Sequence, residues 1–121
     1  MKTITFLSAL AGLAPLCVQA DPAIIRDVTI SATGGAYTVS VTLQHGDTGW
    51  DDYADGWRVE AADGTVLGTR TLFHPHVKEQ PFTRSLGGVA IPEDLSQVYI
   101  RASTNAEGWD DATIAFPMPG R

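Results

Sequence analysis

Residues Ala36-Tyr37-Thr38-Val39-Ser40-Val41-Thr42-Leu43-Gln44 alternate apolar and polar side chains without a break. Successive side chains of a strand point to opposite sides, so Tyr37, Val39, Val41 and Leu43 share one face and the hydroxyls the other. That period fits a half-buried antiparallel strand and conflicts with a helix. Arg26–Ser31 alternates in the same way, and Gly34-Gly35 predicts a tight turn between the two runs. Trp57–Ala61 and Thr65–Phe73 flank Ala62-Asp63-Gly64, a second hairpin signal. Runs at 82–86, 97–102 and 112–116 follow, each bounded by Gly, Pro, Asn or Asp. Pro92–Leu95 suits one helical turn, and no longer helix is expected. Seven short strands, with turn signals about every 8–12 residues, predict an all-β fold: a seven-stranded antiparallel β-sandwich.

The N-terminus reads differently. Lys2 precedes an apolar run from Ile4 to Val18 that closes on Val18-Gln19-Ala20. This is the pattern of a cleavable signal peptide over residues 1–20, with the cut expected between Ala20 and Asp21. The run falls short of the roughly 20 residues that span a bilayer, so no membrane span is expected. Cys17 offers a lipid-attachment site, but Leu16 and Pro15 stand where such sites want small residues. Residues 21–121 are expected to form a single domain, periplasmic or secreted. Cys17 is the sole cysteine, so the domain has no disulfide framework, thiolate zinc site or Cys nucleophile. Only Lys2 is charged in the first 20 residues, leaving seven basic against fourteen acidic groups and a net of −7. Such a surface repels phosphate backbones, which disfavours nucleic acid and leaves cations, basic partners and neutral sugars.

The strand plan, with Trp57 opening the third strand as a core aromatic, resembles a fibronectin type III or immunoglobulin-like sandwich, without the paired cysteines of true immunoglobulin domains. The resemblance implies a fold and no activity, because such sandwiches host unrelated functions. The stretch His74-Pro75-His76-Val77-Lys78-Glu79-Gln80-Pro81-Phe82-Thr83-Arg84-Ser85, with Leu86–Pro92, resembles a segment of small exported bacterial proteins of unknown function. That resemblance lends no mechanism.

Antiparallel strands reverse direction in turn, so alternate loops meet at one end. Loops 45–54, 74–80 and 103–111 are therefore expected at a shared pole. They carry all three histidines (His45, His74, His76) and, with Asp55 one residue beyond the first loop, eight of the fourteen acids: Asp47, Asp51, Asp52, Asp55, Glu79, Glu107, Asp110 and Asp111. Gly49-Trp50-Asp51-Asp52 also recurs there as Gly108-Trp109-Asp110-Asp111. An indole beside carboxylates suits a sugar ring or a cationic group, making Trp50, Asp51, Asp52, Trp109, Asp110 and Asp111 candidate ligand-binding residues. Against this, Trp50 and Trp109 are expected first as plugs packed beneath their loops.

His74 and His76 stand two apart and share a side in extended chain. With His45 and Glu79 they form a candidate metal set, suited by its nitrogen and oxygen donors to copper or zinc, or to nickel. Calcium on Asp51, Asp52, Asp110 and Asp111 is a weaker alternative, since no EF-hand loop is present. The structural alternative leaves His-Pro-His hydrogen-bonded to neighbouring loops and the acids solvated. Arg84 and Glu79 are expected to pair. No nucleophile elbow, phosphate-binding glycine loop or His-Glu-x-x-His motif occurs, so an enzyme is not expected. The expected function is a non-catalytic, exported binding module that contacts an unknown protein or glycan through this pole. The alternative is a periplasmic metal-binding protein.

Overall fold

The computed structural model describes residues 21–121, so the expected signal peptide and Cys17 lie outside the described residues. Eight strands follow in order: β1 Ile24–Thr33, β2 Ala36–Gln44, β3 Ala54–Glu60, β4 Val66–Thr71, β5 Phe82–Val89, β6 Gln97–Thr104, β7 Gly108–Trp109 and β8 Ile114–Pro117. One sheet has the order β1-β2-β5. The other runs β4-β3-β6, with both β7 and β8 paired to β6. Every pairing is antiparallel.

The alternation decides which faces meet. Val39, Val41 and Leu43 of β2 are buried, as are Val28 and Ile30 of β1, while the hydroxyls between them face outward. The second sheet answers with Trp57, Val59, Val98, Ile100 and Ala102. These residues make one core between the sheets, closed by Leu72, Phe82, Val89, Ile91 and Met118. This is a β-sandwich. Outside the first sheet, Ser40 meets Ser85 and Thr42 meets Thr83, each with oxygens 2.6 Å apart. At the first hairpin Gly34 and Gly35 have φ of 59° and 84°, the left-handed values a two-residue turn requires.

Three expectations need correcting. The strand count is eight, because Gly108-Trp109 pairs with Ser103 and Thr104 inside what reads as loop. β3 starts at Ala54, ahead of Trp57, since pairing to β4 and β6 on both sides carries Gly56 into the ladder. Pro92–Leu95 forms a turn closed by Leu95 N donating to Pro92 O at 3.1 Å.

Candidate functional site

The three loops do meet, and Asp47 is the hub. Its side chain is fully buried. A buried carboxylate is stable only when its oxygens are filled with donors. Oδ1 accepts from His45 Nδ1 at 2.6 Å and Ala54 N at 3.0 Å, and Oδ2 accepts from His76 N at 2.8 Å. One carboxylate thus ties the end of β2, the start of β3 and the loop after β4. Asp47 N donates back to His45 O at 2.8 Å, a tight turn that aims the carboxylate inward. Gln80 adds a second tie: Oε1 accepts from His45 N and Nε2 donates to His76 O, both at 3.0 Å.

Asn105 joins the third loop. Its Oδ1 accepts from Tyr53 N and its Nδ2 donates to Trp50 O, each at 2.8 Å, while its backbone N donates to Tyr53 O at 3.0 Å. Trp50 sits at the tip of a small turn in which Gly49 bridges Asp52. It is 66% exposed and its ring lies edge-on to that of Tyr53, with ring centres 5.7 Å apart. Trp109 is 38% exposed and lies on the outside of the second sheet, with the Arg58 guanidinium 4.2 Å from its ring centre. Neither indole is a plug. The core aromatic is Trp57, as expected. The two Gly-Trp-Asp-Asp copies also differ in form, the first a turn and the second half strand.

Arg58 is held in turn by Glu60. Arg101 and Arg58 both reach Oε2 of Glu60, at 2.6 and 2.7 Å, and Arg101 also reaches Oε1 at 3.1 Å. The Arg101 hydrogen bond, ahead of the Arg58 one and against burial, keeps the Glu60 carboxyl below the usual range. Arg101 Nη1 donates further to the carbonyls of Asp110 and Asp111, at 2.6 and 3.0 Å, which fixes the last loop.

The histidines do not converge as the metal set requires. His76 is buried, stacked on Phe82 at 4.0 Å between ring centres, and its Nε2 lies 3.0 Å from Arg84 Nη2. A guanidinium only donates, so Nε2 accepts and the ring is neutral. Burial first, then the charges of Arg84 and His74, hold its pKa below the usual histidine value, with Glu79 and Asp47 opposing. His74 is exposed, and its ring tilts against that of His76 at 4.6 Å. Glu79 gives its oxygens to Arg84 at 3.3 and 3.4 Å, the expected ion pair. His45 faces away, toward Asp47 and the N-terminal segment. Among the described residues, one group of three metal-capable side chains has its donor atoms within 4.8 Å of one another: Asp21, His45 and Asp52. Sequence reasoning placed His45 and Asp52 at the pole and missed Asp21. It also missed the linking roles of Asp47, Gln80 and Asn105. The spacing His45-Gly46-Asp47 was the available signal for the first.

A cleft of about 160 Å³ lies beside this pole, lined among others by Pro22, Ala23, Thr104, Trp109 and Asp110. It is below the several hundred Å³ of a typical small-molecule pocket. No helix among the described residues is long and apolar enough to cross a membrane.

A protein of Halomicrobium mukohataei named "Putative lipoprotein" is 43% identical to this chain over 86 residues, which is 70% of the chain and 42% of that protein. The chain therefore spans about two fifths of the length of this relative. No family model matches the sequence. No solved structure matches it.

Proposed function

We propose that the chain is an exported, non-catalytic binding module, periplasmic or secreted, that makes contact through the pole built on Asp47 and Asn105. Its sandwich is of the fibronectin type III or immunoglobulin-like kind, which the sheet orders β1-β2-β5 and β4-β3-β6-β8 support. Export is supported by the apolar N-terminal run and by the relative's name. One observation carries the contact surface: Trp50 is 66% exposed on a turn that Asn105 fastens to the neighbouring loop. A large aromatic side chain held mostly in water buries little apolar surface for the fold, and such groups on fixed loops are typical contact residues. Asp51 and Asp52 beside it supply acceptors, so the pole suits a neutral glycan or a basic segment of a protein. Arg58 covers one face of Trp109, so Trp50 is the freer of the two indoles, and Trp109, Asp110 and Asp111 are given the lesser part in contact.

The test is binding to an array of neutral glycans and a panel of basic peptides, with wild type compared to Trp50→Ala and to Val66→Ala on the edge strand β4. Retained fold with at least tenfold weaker binding in Trp50→Ala alone is expected. Binding unchanged by Trp50→Ala contradicts the proposal.

A further inference from the structure

His45 holds an unbalanced position at the same pole. Its side chain is completely buried, and among the described residues the polar partners of its ring nitrogens are oxygens. Nδ1 lies 2.6 Å from Asp47 Oδ1. Nε2 lies 2.8 Å from the Asp21 carbonyl oxygen, 3.5 Å from Asp21 Oδ2 and 3.7 Å from Asp52 Oδ1. A neutral imidazole has one N–H, and Asp47, an acceptor only, takes it. The Nε2 lone pair is then aimed at a carbonyl and two carboxylates. Four lone-pair atoms therefore face one another here, an arrangement suited to a cation.

The donor set favours a metal ion. One imidazole and two carboxylates match the charge of a divalent ion and are a ligand combination used by zinc. Around an ion with bonds of about 2.0–2.1 Å, neighbouring tetrahedral ligands sit about 3.4 Å apart. The 3.5 and 3.7 Å separations from Nε2 lie close to that edge. Asp47 completes a carboxylate–histidine–metal arrangement, in which the outer carboxylate fixes the tautomer and the ring orientation. Asp47 is itself held by Ala54 N and His76 N, so the ring cannot turn away. The Asp21 and Asp52 side chains are 65% and 35% exposed, which leaves a path for the ion and room for water as a further ligand.

We propose that Asp21, His45 and Asp52 form a binding site for a divalent transition-metal ion of the zinc class, joining the N-terminal segment to the loop that carries Trp50. The site does not depend on the contact-surface reading, and either can fail alone. Asp47 acts as a positioning residue through His45. His74, His76 and Glu79 take no part.

The experiment is isothermal titration of ZnCl₂ into the exported protein, purified and stripped with chelator. The same titration is run on Asp52→Asn, Asp21→Asn and the double variant His74→Ala/His76→Ala. Asp21 and Asp52 are exposed enough to be replaced without unfolding the chain, which circular dichroism checks. One zinc per chain is expected, with affinity reduced at least tenfold in Asp52→Asn and in Asp21→Asn and unchanged in the double variant. In ¹⁵N spectra the His45 Nε2 signal is expected to shift on zinc addition. No zinc binding by wild type overturns the proposal. So does affinity lost only in the double variant, or a His45 Nε2 that carries a proton and is unmoved by zinc.

Discussion

At the residue scale, two side chains show how burial assigns roles. Asp47 fills its oxygens with three donors from three segments. Asp47→Ala strands those donors in a buried space, where each unmet group costs about 1–3 kcal/mol. The expected loss is about 3 kcal/mol or more, a fall in Tm of over about 10 °C in a domain of this size. Thermal unfolding followed by circular dichroism checks it, and a Tm within about 2 °C of wild type counts against the hub. His76 has the opposite relation to charge. Burial and the neighbouring Arg84 and His74 lower its pKa, so the unfolded chain binds the proton more readily than the folded one. Protons then favour unfolding, and stability falls as pH drops below about 6.5. His76→Phe keeps a ring against Phe82 and removes that titration. The Tm advantage of wild type over this variant is expected to shrink between pH 7.5 and 5.5. A difference that stays constant with pH contradicts the assignment.

At the scale of elements, the strands were legible wherever burial on one face imposed a period of two. β2 is the clearest, with Val39, Val41 and Leu43 inward and hydroxyls outward. The start of β3 was not legible, because Asp55 and Gly56 carry loop chemistry and the pairing of Ala54 and Gly56 comes from β4 and β6, distant in sequence. β7 was hidden for the same reason: two residues have no period. Strand parity did bring the three loops to one end, and the hydrogen bonds of Asp47, Gln80 and Asn105 report that meeting directly. What parity omits is the direction of each side chain. His45 turned from His76 because Asp47 lies between them, and a loop aspartate reads by default as solvated. The exposure of Trp50 was illegible too, since the tip of a turn and the space beneath it read alike in sequence.

At the scale of the whole molecule, the fold divides its labour. The core between the sheets is apolar and contiguous, and its polar links sit on the outside or at the pole. The Glu60 carboxylate, shared by Arg58 and Arg101, braces β3 against β6 and holds the Arg58 side chain that stacks on Trp109. The pole concentrates acidic groups and the more exposed of two indoles, Trp50, on loops that are cross-tied by hydrogen bonds. For the proposed contact surface the separation matters, because such a surface gains affinity when its groups are already ordered before the partner arrives.

Native-state hydrogen exchange tests that ordering most directly. The amides of Ala54, His76, Tyr53 and Asn105 all donate between loops or at the loop ends, and none of these bonds lies in a regular ladder. If the pole is one ordered surface, they exchange slowly, within about tenfold of β3 and β6 core amides, and Asp47→Ala releases Ala54 and His76 together. If they exchange at the rate of free loops in the wild-type protein, the three loops move independently and the account of this pole as a preformed contact surface is wrong.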